Sequence, residues 1–327
     1  MGNPKYGDIH VDEMLTNMSV AYIQDESAFI AGRVFPIIPV KRQSDRYFTY
    51  LKEDAFRDEA AERVYGAESK GGGYDVDNTP TYFCKIYAYH KDVFPTDRAN
   101  SNDPLMPDID AAEYVTQKLM LKREVDFNTR FLASGIWLTE YDGAAAAGAT
   151  DRVFWNKTTS TPLEDIGNAQ VAVQAITSKK PNTLVIGPYV YMALRNNTEV
   201  RDLLRYTMGP RVPTTELLAQ IFDVERVLVG NAVKNAAAKG ADEDTDFILG
   251  KHALLCYTEN APGIKKVSAG YIFAWTGLEG AGAFGNRLYR IPMDLLGLGT
   301  IRIEGEMAYT TEVVSTSLGV FFNDIVE

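Results

Sequence analysis

Apolar residues change their spacing several times along the 327 residues, and the changes divide the chain. Residues 1–33 carry short apolar pieces among polar ones. Asn17 to Ala31 could hold a short helix, but the segment is too poor in apolar groups for a core of its own and reads as an arm packed on something else. Val34-Phe35-Pro36-Ile37-Ile38-Pro39-Val40 is apolar and twice interrupted by proline. Each proline lacks an amide donor and keeps its predecessor extended, which predicts an edge strand. Tyr47, Thr49 and Leu51 alternate with other residues as a half-exposed strand, and Tyr82, Lys85, Tyr87 and Tyr89 sit in a second one near Phe83 and Ile86. Together they predict a two-stranded ribbon over 41–91, which has too little surface to bury by itself and needs a partner.

Ala111 to Ala133 has no proline or glycine and predicts a helix of about 33 Å, with Asp110 as its cap and Glu113 three residues on. Tyr114, Leu121, Val125 and Leu132 would form one seam, with Met120, Phe127 and Phe131 opposite. Apolar groups on several faces suit a beam that touches several elements. Gly143 to Gly148 reads as a flexible connector and Ala169 to Thr177 as a short helix. Thr183 to Ile186 has the pattern of a buried strand. Pro188, Thr198 and Thr214 or Thr215 each open a helix, the second with Val200, Leu203 and Leu204 on one side. Val227 to Val229 is a further strand, Ala253 to Tyr257 and Gly270 to Trp275 look like strands of one compact unit, and an alternating ribbon begins at Arg302. Leu318 to Phe322 closes the chain, and the whole reads as α+β.

Charge narrows the function. Acidic residues outnumber basic ones 44 to 33, for a net charge of −11. A protein that grips duplex phosphates needs the opposite balance. Between Lys41 and Lys70 the charges are even, 7 basic and 7 acidic, which suits contact with a protein surface of both signs. Arg46, Tyr47, Phe56, Arg57, Arg63 and Tyr87 are the candidate contacts between subunits, and Gly71, Gly72 and Gly73 a candidate flexible tip.

Candidate chemistry changes little. Cys84 and Cys256 are too few for a disulfide framework, and His10, His90 and His252 are isolated from other ligand-type residues. The acidic run Asp242 to Asp246 lacks the glycine and glutamate of a calcium loop and reads as solvated. Gly280, Gly282 and Gly285 match a dinucleotide fingerprint by letter, but the residues after them make a poor helix. No cofactor, metal or catalytic residue is expected, and no stretch has the roughly 18 apolar residues of a membrane span.

The order of elements resembles the major capsid proteins of tailed double-stranded DNA bacteriophages, with the Hong Kong 97-type fold. The stretches that carry the likeness are 34–40 leading into Lys41 to Tyr50, Phe56-Arg57-Asp58-Glu59-Ala60 before Gly71-Gly72-Gly73-Tyr74, Asn182 to Gly187, and Phe222 to Gly230 preceding Ala232 and Asn235. The resemblance implies an N-arm at 1–40, an E-loop hairpin at 41–91 and a peripheral domain at 92–180 with its spine helix at about 111–133. It further implies a mainly axial domain at 181–300 and a return to the peripheral domain at 301–327. It implies hexamers and pentamers closing an icosahedral shell around packaged DNA held without sequence preference, in a virion assembled in the host bacterial cytoplasm. Portal and decoration proteins are implied partners, with the scaffold a separate protein or absent because the arm begins almost at Met1. An encapsulin-like nanocompartment shell is the alternative, and an α/β enzyme a more distant one.

Overall fold

The computed structural model of the chain describes residues 24–50, 56–73, 75–101, 106–207, 212–238, 240–263, 266–277, 282 and 285–327. The start of the arm, including His10 and most of the short helix expected from Asn17, lies outside them, as do Leu51, Tyr74 and Gly280. The described chain opens with a 3-10 turn at Glu26–Ala28, followed by one helical turn, α1 (Ala31–Val34), and β1 (Ile37–Val40), the edge strand that the prolines predict. Four short strands follow, β2 (Ser44–Arg46), β3 (Thr49–Tyr50), β4 (Val76–Asp77) and β5 (Thr81–Phe83). β2 pairs with β5 and β3 with β4, both antiparallel. The expected ribbon is therefore paired only in short pieces. Past Cys84 its second strand leaves, and β6 (Lys85–Val93) joins a different partner late in the chain.

After α2 (Pro95–Asn100) comes the long helix α3, Pro107–Phe131, 25 residues. It starts earlier than expected, because Pro107 occupies the first helical position, where the missing N–H costs nothing; Asp110 lies inside the first turn and caps nothing. The buried face is Ala111, Val115, Leu119, Phe127 and Phe131. The predicted seam is displaced from it: Tyr114 is exposed, Leu121 and Val125 are half-buried, and only Leu132 is fully inside.

β7 (Thr139–Ala144) takes up the first two residues of the alanine-rich connector, and β8 (Asp151–Val153) follows it and pairs with β7 in parallel. Gly143 is packed so tightly that a Cβ there would lie 2.0 Å from the Asp324 carbonyl oxygen. α4 (Pro162–Thr177) begins seven residues before the expected start at Ala169, again on a proline. β9 (Thr183–Ile186) is buried throughout, and α5 (Pro188–Asn196) starts on its proline as expected. For α6 (Thr198–Thr207) the cap is Asn197, whose side-chain oxygen accepts the Glu199 N–H, and Leu203 is exposed while Val200 and Leu204 are buried. Thr214 caps α7 (Thr215–Ile221) by accepting the Leu217 N–H. Then come β10 (Arg226–Val229), β11 (Val233–Asn235), β12 (Thr245–Phe247), β13 (Ala253–Cys256), β14 (Gly270–Trp275), β15 (Asn286–Pro292), β16 (Ile301–Val313) and β17 (Gly319–Asn323). The end of the acidic run is thus in a strand, since β12 pairs antiparallel with β11.

Two sheets organise the molecule. One joins β1, β14, β16 and β15 in that order, with β6 also paired to β16; the other runs β10-β9-β13-β17-β7-β8. β13 and β14, expected in one unit, lie in different sheets, and the chain crosses between them over 257–269. Hydrogen bonds from Tyr257 N–H to Leu318 O and from Ala269 N–H to Tyr257 O hold that crossing. α3 lies across β16 and β6, and one continuous core connects the helix to the second sheet through Phe127, Phe131 and Trp137.

The helix approaches β16 closely at Gly305, where a Cβ would stand 2.7 Å from Val115 Cγ1 and 2.9 Å from Leu119 Cδ1. Gly305→Ala should therefore destabilise the chain by about 1–3 kcal/mol through overpacking. Gly71→Ala, in open space, should change little. Chemical denaturation of both variants checks the contrast.

Candidate assembly surface

The excursion between β1 and β6 has a rooted base. Phe273 of β14 stacks on Tyr82 with ring centroids 4.6 Å apart and packs on Tyr47 at 5.5 Å. Cys84 Sγ donates to the Phe273 carbonyl oxygen at 3.5 Å, and Trp275 Nε1–H donates to the Lys41 carbonyl at 3.1 Å. Burial raises the Cys84 thiol to about 11, so it acts as a small apolar group. Cys256 in β13 is likewise buried, and both cysteines are free.

Beyond the base the excursion is bare. Every described residue from Phe56 to Gly73 except Glu59 is exposed; Val64 and Tyr65 lie almost wholly in solvent. Arg57 reaches Glu59 at 3.5 Å, and Arg63 Nε–H donates to the Ala67 carbonyl. Such exposed contacts contribute roughly 0–1 kcal/mol each and leave the stretch without a packing partner among the described residues. Phe56, Arg57, Arg63 and the three glycines are all on this stretch, and Arg46 is exposed on β2. Tyr47 and Tyr87 are placed differently: both rings are half-buried against their own chain, Tyr87 against Tyr309 at 5.2 Å with Lys122 Nζ above it.

Two features escaped the sequence reading. The turn between β15 and β16 lifts Leu295 and Leu298 into solvent, 99% and 89% exposed, beside half-exposed Leu296. Its signal is visible in retrospect as Asp294-Leu295-Leu296-Gly297-Leu298-Gly299, leucines among glycines between strands. The other is Glu124. Its carboxylate is fully buried on α3 and accepts the Ile30 N–H at 3.1 Å and the Ala31 N–H at 2.9 Å. Arg226 extends the same attachment by donating to the Val34 carbonyl at 3.0 Å. A glutamate amid scattered helix charges gives no sequence signal of this role.

Nothing in this surface assembles a reaction centre. Among the described residues, no group of three or more His, Cys, Asp or Glu is placed to hold a metal ion, and no helix is long and apolar enough to cross a membrane. His90 is exposed on β6, and His252 packs on Phe321, accepting the Asp324 N–H. Asn286 to Pro292, where a dinucleotide site requires a helix, is a strand.

The profile of the family described as phage major capsid protein E matches residues 141–269. The chain is 27% identical over 260 residues to the major capsid protein of Burkholderia phage BcepMu, covering 76% of each chain. It is 26% identical over 325 residues to that of Pseudomonas phage JBD67, covering 97% of each. The chain is thus similar, over most or nearly all of its length, to the major capsid proteins of these two phages. A phage-related protein of Bordetella bronchiseptica RB50 shares the fold of this chain, with a TM-score of 0.67 at 18% identity, over 92% of this chain and 94% of the other. The SrpI encapsulin of Synechococcus elongatus PCC 7942 does so at a TM-score of 0.58 and 12% identity, over 96% and 94%. The fold is therefore α+β and related to the Hong Kong 97 type, and it is common to phage heads and encapsulins.

The aromatic root makes a local prediction. Phe273→Ala should cost about 3–5 kcal/mol. It should raise hydrogen exchange at the amides of β2 and β5 above the increase elsewhere in the sheet; a uniform increase would place the root of the excursion elsewhere.

Proposed function

We propose that this capsid protein closes an icosahedral phage head from hexamers and pentamers, and that the excursion at 41–91 is an E-loop lying across a neighbouring subunit. The observation that carries the reading is the contrast within the excursion: a base stacked on Phe273 and a bare stretch from Phe56 to Gly73. A rigid root with an unpacked, charge-balanced end is suited to a homomeric shell, where one repeated surface covers the exposed groups of every copy. Arg46, Phe56, Arg57 and Arg63 would make the contacts, Gly71 to Gly73 would let the tip change direction, and half-buried Tyr47 and Tyr87 would present only their remaining edges. α3 would serve as the spine helix. The proposed divisions are arm 1–40, E-loop 41–91, peripheral domain 92–180, mainly axial domain 181–300 and peripheral return 301–327. The strand pairing favours grouping β14 and β15 with the spine helix, and β17 with the axial strands β9 and β13.

A net charge of −11 supports enclosing DNA without gripping it, since like charge repels within the screening distance of about 8 Å at physiological salt. Scaffold, portal and decoration proteins would be the heterologous partners. The encapsulin reading shares the fold but not the curated relatives.

Arg57→Glu together with Arg63→Glu should leave circular dichroism unchanged and lower the yield or stability of sedimenting shells. Unchanged assembly would show that these charges only face water. Trypsin should cut the free subunit first at Arg57, Arg63 or Lys70, and assembled shells should resist there. Cryo-electron microscopy of the particles separates the two readings by their contents, packaged DNA or a protein cargo.

A further inference from the structure

Two buried acceptors stand one turn apart on α3 with no donor for either among the described residues. Glu124 uses Oε2 for the Ile30 and Ala31 amides, while its Oε1 has no hydrogen-bond partner among the described residues. Asn128 Oδ1 is also buried without one. Residues four apart on a helix are side-by-side neighbours. A buried acceptor lacking a donor costs about 1–3 kcal/mol, more for a charged group. A single proton on Oε1 removes both deficits, because it discharges the carboxylate and supplies the O–H that Asn128 Oδ1 lacks, directly or through one water. Oε2 continues to accept from the two amides.

We propose that Glu124 and Asn128 form a proton-loaded latch that fastens residues 29–35 to the long helix, tight when Glu124 is neutral and loosened when it ionises. The latched segment is well placed to transmit the change. Phe35 packs on Phe127 and Phe131 at 6.1 and 4.5 Å, Arg226 of β10 holds the Val34 carbonyl, and β1 continues directly into the other sheet. Loosening it would free the joint between the two sheets.

Burial pushes the Glu124 carboxyl above the usual range, against the pull of the Ala31 and Ile30 amides and of Arg123 beside it. The other ionisable groups around this joint are Glu26 and exposed Arg33 on the N-terminal segment, Arg226 on β10 and Tyr309 on β16; Glu26 and Tyr309 act on Arg123. With the folded pKa above the unfolded one, the stabilisation is fully present below the unfolded value of about 4.3 and is lost as pH rises through the folded value.

The test is hydrogen–deuterium exchange of the peptide containing 29–35 in the full-length subunit, from the ordinary glutamate pKa to above neutrality, corrected for intrinsic exchange. Wild-type protection should fall about tenfold for each unit by which the folded pKa exceeds the ordinary value. Glu124→Gln reproduces the neutral state, its amide oxygen accepting and its NH2 donating to Asn128, so its protection should be high and flat with pH. Asn128→Leu keeps the acid but removes the proton's acceptor, and should move the wild-type midpoint toward acid by about half a unit to one unit. A wild-type profile as flat as that of Glu124→Gln would overturn the proposal, as would an unmoved midpoint in Asn128→Leu. If Glu124→Gln fails to fold, the Asn128→Leu midpoint decides.

Discussion

The attachment of residues 29–35 to α3 is the constraint on which the rest of the architecture depends. The segment is anchored on the helix by Glu124 and on β10 by Arg226, and it leads into β1, the edge strand beside β14. Gln24 adds an upstream anchor, donating to the Val233 carbonyl and accepting the Val233 N–H. A chain segment bonded to both sheets restricts how one can turn against the other. Its apolar side chains complete the core between them: Ile30, Val34 and Phe35 are all fully or nearly fully buried. Removing such a segment would open the joint at its most apolar point, which is a larger loss than the few hydrogen bonds alone.

That rigidity contrasts with the excursion. Its base is fixed by aromatic stacking, so the bare stretch leaves the body of the subunit from a defined place, while its outer residues make only local, water-exposed contacts. In a homomeric shell this division has a physical use. Under the proposed reading the body would hold its shape, and the excursion would remain unsatisfied until a neighbouring copy covers it. The leucines at 295, 296 and 298 stand in the same condition on the opposite kind of surface, apolar where the excursion is charged.

The architecture does not by itself separate a DNA-filled head from a protein-filled compartment, because the encapsulin and the phage proteins share it. The relatives by sequence are both phage major capsid proteins, with similarity at 26–27% identity over most or nearly all of the chain.

Local rules made much of the fold legible in the sequence. Pro36 and Pro39 determined an edge strand, the buried pattern of Thr183 to Ile186 determined a central one, and the proline-free run after Pro107 determined a long helix. The dense charge over Lys41 to Lys70 likewise agrees with the exposure of the described residues 56–73. Tertiary structure alone decided which strands share a sheet: β6 left its sequence neighbour for β16, and β13 and β14 separated, because pairing across more than 200 residues follows from packing that no local spacing records. It also decided which face of α3 is buried, since α3 carries apolar groups all round and only its seat on β16 selects Val115 and Leu119 over Tyr114. Glu124 was illegible for the same reason. One more acid on a charged helix becomes the anchor of the N-terminal segment only when the amides of Ile30 and Ala31 are brought to it from 94 and 93 residues away.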